Sequence, residues 1–200
     1  MRLIVHAAAT MVLSAGGLIA LAVPAAADIS TIRDKASDVV HETGEDGSAG
    51  AILGYWASLA SGVDARSLRV NHTHRYVSFR ITFATLDDDR AQVTIRIRRN
   101  GETEPSAALS IAYADSNGGV GPSATIQVDD VTTCRGIELR TAPGALGWIY
   151  ARVDRSCLDD PDEIRAAASI AQVDLGTADI EQISLTRYRA PAWTPWLATG

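Results

Sequence analysis

Apolar and polar residues alternate at a period of two along much of the chain beyond residue 62. This is the pattern of strands with one buried face and one wet face. The clearest instance spans 63–86 (VDARSLRVNHTHRYVSFRITFATL). There Leu68 and Val70 alternate with Arg69 and Asn71, and Val77, Phe79, Ile81 and Phe83 alternate with Ser78, Arg80 and Thr82. The interruption at 71–75 predicts a hairpin between the two runs. Over 91–99, Val93, Ile95 and Ile97 face inward while Thr94, Arg96 and Arg98 face outward. The Asn100-Gly101 pair that follows is the strongest turn signal in the chain. Residues 107–113 carry Leu109, Ile111 and Tyr113 on one face, 115–122 (DSNGGVGP) reads as a loop, and 123–128 places Ile126 and Val128 at period two.

The remaining segments are less regular. Residues 29–40, with Ile29, Ile32 and Val39, predict a first or edge strand, and 41–48 (HETGEDGS) an exposed loop. The run 49–60 (AGAILGYWASLA) reads as a short helix or as a loop that packs Tyr55 and Trp56 onto the core. Residues 163–173 (EIRAAASIAQV) favour a helix by alanine propensity, yet Ile164, Ala166, Ala168 and Ile170 alternate as a strand would. In 180–189, Ile183, Leu185 and Arg187 share one face. Short strands separated by turn signals, without helix–strand alternation, predict an all-β fold: a single antiparallel β-sandwich, jelly-roll or immunoglobulin-like. The arginines between the apolar positions are then a solvated sheet face.

Cys134 and Cys157 are the only cysteines, and they flank an apolar-rich stretch containing a turn signal at 143–147 (PGALG). A disulfide between them is expected, closing a β-hairpin. With the two as direct cross-strand partners, the turn falls at Ala145-Leu146, but Leu139 then faces Arg152. A bulge near Gly136 would move Leu139 opposite Val153 and put Ile149 and Ala151 on the same apolar face.

The N-terminus adds a compartment. Met1-Arg2, the apolar stretch 3–23, Pro24 and Ala25-Ala26-Ala27 together read as a secretory signal peptide over 1–27, cut before Asp28. A disulfide suits that export route. The whole chain carries 18 basic and 24 acidic residues, a net −6; without 1–27, which holds Arg2 and no acidic residue, the net is −7. This balance argues against general nucleic-acid or anionic-membrane binding and predicts one secreted or envelope domain over 28–200, with no membrane span after cleavage.

Candidate chemistry is sparse. His72 and His74 at i and i+2 share a face on a strand, as two ligands of a divalent metal would, although a metal site needs a third ligand that the sequence does not name. The plainer reading is two polar hairpin residues. Asp87-Asp88-Asp89 and Asp159-Asp160-Pro161-Asp162 are carboxylate runs that could meet calcium, and 115–118 (DSNG) resembles the start of a calcium loop but lacks its spaced carboxylates; solvated loops are the better reading of all three. No nucleophile elbow, phosphate-binding loop, zinc-protease motif or dinucleotide fingerprint occurs. Trp193 and Trp196, with Tyr188, are the aromatic candidates for a glycan platform or a protein anchor; otherwise they close one end of the sandwich.

Several stretches resemble a group of small, uncharacterised exported proteins of actinobacteria. These are 34–39 (DKASDV), 64–72 (DARSLRVNH), Cys134, 155–158 (RSCL) and 194–197 (TPWL). The resemblance implies a β-sandwich with one disulfide hairpin and tips 163–173 towards a strand. It carries over no activity and no catalytic residue. The longer segment between Val39 and Val63 departs from that pattern. The expected function is an exported, non-catalytic binding or envelope-associated module for an extracellular protein or a glycan, with no cofactor. The alternative is a secreted hydrolase or metal-dependent enzyme.

Overall fold

The alternating runs fold as antiparallel strands. The computed structural model describes residues 27–34, 37–43, 50–87, 91–112, 122–134, 136–174, 177–183 and 191–200. Residues 1–26 of the expected signal peptide (1–27), Tyr113, residues 115–121, Asp88-Asp89, Leu185, Arg187 and Tyr188 lie outside these residues.

In chain order the elements are β1 (Asp28–Arg33), β2 (Val40–Thr43), β3 (Ala51–Ile52), α1 (Tyr55–Ala60), β4 (Ala65–His72), β5 (Tyr76–Phe83), β6 (Thr85–Leu86), β7 (Ala91–Arg99) and β8 (Ala107–Ala112). They continue with β9 (Ser123–Val128), β10 (Val131–Cys134), β11 (Glu138–Ala142), β12 (Gly144–Ala145), β13 (Trp148–Asp154), a 3-10 turn (Arg155–Leu158), β14 (Glu163–Asp174), β15 (Thr177–Gln182) and β16 (Leu197–Ala198). The first sheet has the order β1-β4-β5-β13-β11. The second runs β10-β9-β8-β7-β14-β15-β2-β3, with β16 on the part of β14 that β15 leaves open. The sheets pack as a β-sandwich around one core, which joins Leu68, Phe79, Ile81 and Phe83 of the first to Ile95, Ile97, Leu109, Ile111 and Ile126 of the second. No helix among the described residues is long and apolar enough to cross a membrane.

Strand β14 resolves the ambiguous alanine run. Ile164, Ala166, Ala168 and Ile170 face the core, and β7 pairs with the strand from Ile164 to Gln172. Tertiary pairing on a half-buried surface here overrides the helical preference of alanine. The opposite edge of β14 is completed by the C-terminal segment. The Thr194 N–H donates to the Ala166 carbonyl at 2.9 Å, the Ala166 N–H donates to Thr194 Oγ1 at 3.0 Å, and Leu197 pairs with Ile164. Pro191 and Pro195 flank these contacts, in an edge position where a missing N–H is tolerated.

One expectation is corrected. Cys134 and Cys157 form the disulfide, with Cα atoms 5.6 Å apart, but they are not partners in a hairpin. Cys134 ends β10, on the edge of the second sheet, and Cys157 lies in the 3-10 turn after β13 of the first. The bond therefore links an edge strand of the second sheet to the turn that follows β13 of the first, and the hairpin β11–β13 lies inside the loop it closes. That hairpin pairs Leu139 with Ala151 and Glu138 with Arg152, rather than Leu139 with Val153. No bulge is needed within it. Gly136 takes a left-handed φ of 93° in the crossing between sheets, before the first paired residue. The turn itself falls where expected, between Ala142 and Trp148. Of the two readings of 49–60, the short helix is the one found, as α1; the loop packing Tyr55 and Trp56 onto the core is not, since Tyr55 is exposed and Trp56 is 79% exposed.

Candidate functional site

The most unusual grouping in the molecule is made of carboxylates inside the protein. It begins where β1 ends. The Asp34 N–H donates to the Arg66 carbonyl and prolongs the β1–β4 pairing by one residue. Ser37 then adopts a left-handed φ of 68°, a conformation that non-glycine residues seldom take. Asp38 follows, and Val40 enters β2 opposite Ile180, the neighbour of Glu181. Asp64 immediately precedes β4, where its carbonyl accepts the Ala84 N–H. Both sheets thus contribute to one acidic cluster: Asp34, Asp38 and Asp64 from around β1 and β4, and Glu181 from β15.

One carboxylate oxygen from each of Asp34, Asp38 and Glu181 lies within 4.8 Å of the others. Glu181 is 1% exposed, Asp38 6% and Asp64 0%. Glu181 Oε2 and Asp64 Oδ1 are buried without a hydrogen-bond partner. Burial pushes the Glu181 carboxyl up to about 11, and the charges of Asp34, Asp38 and Asp64, together with a hydrogen bond from Asp34, act in the same direction. Burial also raises Asp64, against the opposing pull of Arg66, the Ser37 backbone and the Ser58 hydroxyl. Arg66 Nη2 is 3.5 Å from Asp64 Oδ2, and Ser58, the one buried residue of α1, donates to the same oxygen at 3.3 Å. At neutral pH such a group of acids is stable only if protons or a cation offset its charge.

The histidines are separated by their environments. His72 is fully buried, and its Nδ1–H donates to the Leu197 carbonyl at 2.9 Å. Burial lowers its pKa, so the ring is held neutral, with Nε2 buried and without a partner. His74 is exposed in the β4–β5 turn. Neither belongs to the Asp34–Asp38–Glu181 group, the one cluster among the described residues that gathers three ligand atoms. Of the loop acids, Asp159 accepts from Arg99 Nη1 at 2.6 Å, in a network in which Arg99 also reaches Asp129, Glu102, Ser106 and the Leu158 carbonyl. This ties the disulfide-bearing turn to the β7–β8 loop. An open groove of about 630 Å³ beside it is lined by Arg96, Glu102, Glu104, Gln127, Asp129 and Asp130.

Trp193 and Trp196 are half-buried on the outer side of the second sheet. The guanidinium of Arg98 stands 4.2 Å from the Trp193 ring centre, and that of Arg165 lies 5.4 Å from Trp193 and 5.7 Å from Trp196. Arg98 and Arg165 are cross-strand partners, so the tryptophans sit over a like-charged pair and hold the C-terminal segment against it. Burial and the charge of Arg98 lower the pKa of Arg165.

Arginines also gather on the outer face of the first sheet. Thr31, Arg69, Arg80, Tyr150 and Arg140 are successive partners across β1, β4, β5, β13 and β11. Arg33 and Arg152 flank this row on the same face, and all five arginines are exposed. Arg80 stacks on Trp148 at 4.5 Å and Arg152 on Tyr76 at 5.2 Å. The acidic residues on this face are Glu138, paired with Arg140 and Arg152, and Asp154.

Comparison with protein-family models finds none that matches, and neither curated proteins nor solved structures match the chain.

The sequence pattern carries only traces of the acidic cluster. Period-two alternation places Glu181 on the face of Ile183, an inward position. Asp34 and Asp38 are the two acids of the 34–39 stretch, and Asp64 opens the 64–72 stretch.

Proposed function

We propose that the protein is an exported, non-catalytic β-sandwich that binds an anionic glycan of the cell envelope on the arginine-bearing face of its first sheet. Export rests on the signal-peptide pattern of 1–27 and is supported by the disulfide. The observation that carries the binding reading is the row Arg69–Arg80–Tyr150–Arg140 across four strands of a chain whose net charge is −6. Arg69 and Arg80 stand directly opposite each other, an arrangement that destabilises the free sheet and is relieved when an anion lies between them. Guanidinium groups match carboxylate and phosphate oxygens in forked pairs, and the neighbouring Tyr150 offers ring surface to a sugar. The Trp193–Trp196 pair is a weaker platform, because Arg98 and Arg165 already engage those rings.

Binding to immobilised poly(glycerol phosphate) and hyaluronan, with neutral dextran as control, tests this reading. Binding is expected to both polyanions, to weaken with salt, and to be lost in the Arg69→Glu/Arg80→Glu double variant. Equal retention of dextran, or no effect of the double variant, contradicts it. Binding confined to phosphatidylglycerol vesicles replaces the glycan with a lipid surface.

A further inference from the structure

We propose that Asp34, Asp38 and Glu181, with Asp64 beside them, hold one calcium ion that ties the end of β1 to β15. This inference is independent of any ligand on the arginine face.

The geometry comes first. Two oxygens bound to one calcium ion at 2.3–2.6 Å from it are separated by no more than about 5 Å. The three carboxylate oxygens, all within 4.8 Å of one another, fit that limit. They approach from the segment after β1 and from β15, on different sheets, so no local turn explains their meeting.

A second observation points to a ligand. Glu181 is 1% exposed, faces the cluster, and has Oε2 buried with no hydrogen-bond partner; the fully buried Asp64 likewise has Oδ1 without one. Buried carboxylate oxygens are ordinarily satisfied by donors or by a metal. Among the described residues, Arg66 lies 3.5 Å from the other oxygen of Asp64. One divalent ion would satisfy several of these oxygens together and offset charges that burial otherwise disfavours.

The donor set selects the ion. All the candidate ligands are carboxylate oxygens, which suit a hard cation rather than zinc or copper. Magnesium dehydrates reluctantly and usually keeps several waters, which a site this buried accommodates poorly; calcium accepts six to eight protein oxygens in flexible geometry. Waters and backbone carbonyls would complete the shell.

The test uses the purified protein after dialysis against chelator, titrated calorimetrically at pH 7.5 with calcium, magnesium or zinc chloride and followed in parallel by thermal unfolding. One calcium site is expected. At about a hundredfold excess over its dissociation constant, calcium should raise Tm by roughly 5–10 °C, with a smaller effect from magnesium. Glu181→Gln removes a ligand charge while keeping the side-chain shape. It should abolish the calcium response, and in chelator its Tm should equal or exceed that of the wild type. Asp38→Asn serves as a second variant should Glu181→Gln fail to fold, and should also abolish the response. The proposal is overturned by a wild-type protein with neither calcium heat nor calcium-dependent Tm, by a Glu181→Gln protein that responds as the wild type does, or by equal stabilisation with magnesium or zinc.

Discussion

Glu181 stands opposite Ile170 in the β14–β15 pairing, and both side chains are closed off from solvent. An acid thus occupies a position that the strand pattern reserves for a core residue. Asp34, Asp38 and Asp64 surround it, so the interior at this end of the sandwich is acidic where it would ordinarily be apolar.

The first consequence is a dependence of stability on pH in chelator. The folded-state pKa of Glu181, about 11, lies above its ordinary value near 4.5, so the folded protein keeps a proton that the unfolded chain releases. Stability in EDTA is therefore expected to fall as pH rises above 4.5, because the folded state there binds more protons. The raised Asp64 acts in the same direction from about 3.8 upward. Urea unfolding between pH 4 and 8 measures this, and Glu181→Gln should flatten the slope. An unchanged slope in the variant would remove Glu181 as its source.

His72 acts in the opposite sense. Its folded pKa is below 6.5, so the unfolded chain takes up a proton that the buried ring refuses. Its contribution is full above about pH 6.5 and is lost as pH falls through the folded value. His72→Asn, which can still donate to the Leu197 carbonyl, should lose less stability between pH 7.5 and 5 than the wild type. Equal losses would show that His72 does not titrate on unfolding.

The Cys134–Cys157 bond closes a 23-residue separation and links β10 of the second sheet to the turn after β13 of the first. In the chain-entropy model a loop of that size is worth about 3 kcal/mol. The Cys134→Ser/Cys157→Ser variant should lose that amount in urea unfolding. A loss below about 1 kcal/mol, the usual scale of a single substitution, would mean that the sheets hold together without the bond.

Thr194 supplies the acceptor for the buried Ala166 N–H in the gap that β15 and β16 leave on β14. Thr194→Val keeps the shape and removes the acceptor, so it should cost about 1–3 kcal/mol, the range for a buried donor left unpaired. Faster amide exchange at Ala166 should accompany it. Unchanged exchange would show that the Thr194 hydroxyl does not protect the Ala166 N–H.

The sandwich was legible because its strands obey period two. The inward positions Val77, Phe79, Ile81 and Phe83, and Val93, Ile95 and Ile97, are all buried as that pattern requires. The turns expected within 71–75 and 143–147 lie there, between His72 and Tyr76 and between Ala142 and Trp148. The disulfide partners were legible from their number, but not their place. Cys134 ends a strand of the second sheet and Glu138 opens one of the first, and a change of sheet leaves no alternation to read. The acidic cluster was hidden for a related reason. Asp34, Asp38, Asp64 and Glu181 are spread over nearly 150 residues, and only the packing of two sheets brings them together. The row Arg69–Arg80–Tyr150–Arg140 depends on strand order in the same way: each arginine was visible as an outward residue, but their alignment across strands was not.

The most direct measurement is the metal content of the protein purified without chelator, taken by elemental mass spectrometry alongside the Glu181→Gln variant. One calcium per chain in the wild type and none in the variant is the predicted result. A wild-type protein that carries no calcium after equilibration in millimolar calcium, or a variant that carries as much as the wild type, would contradict the account.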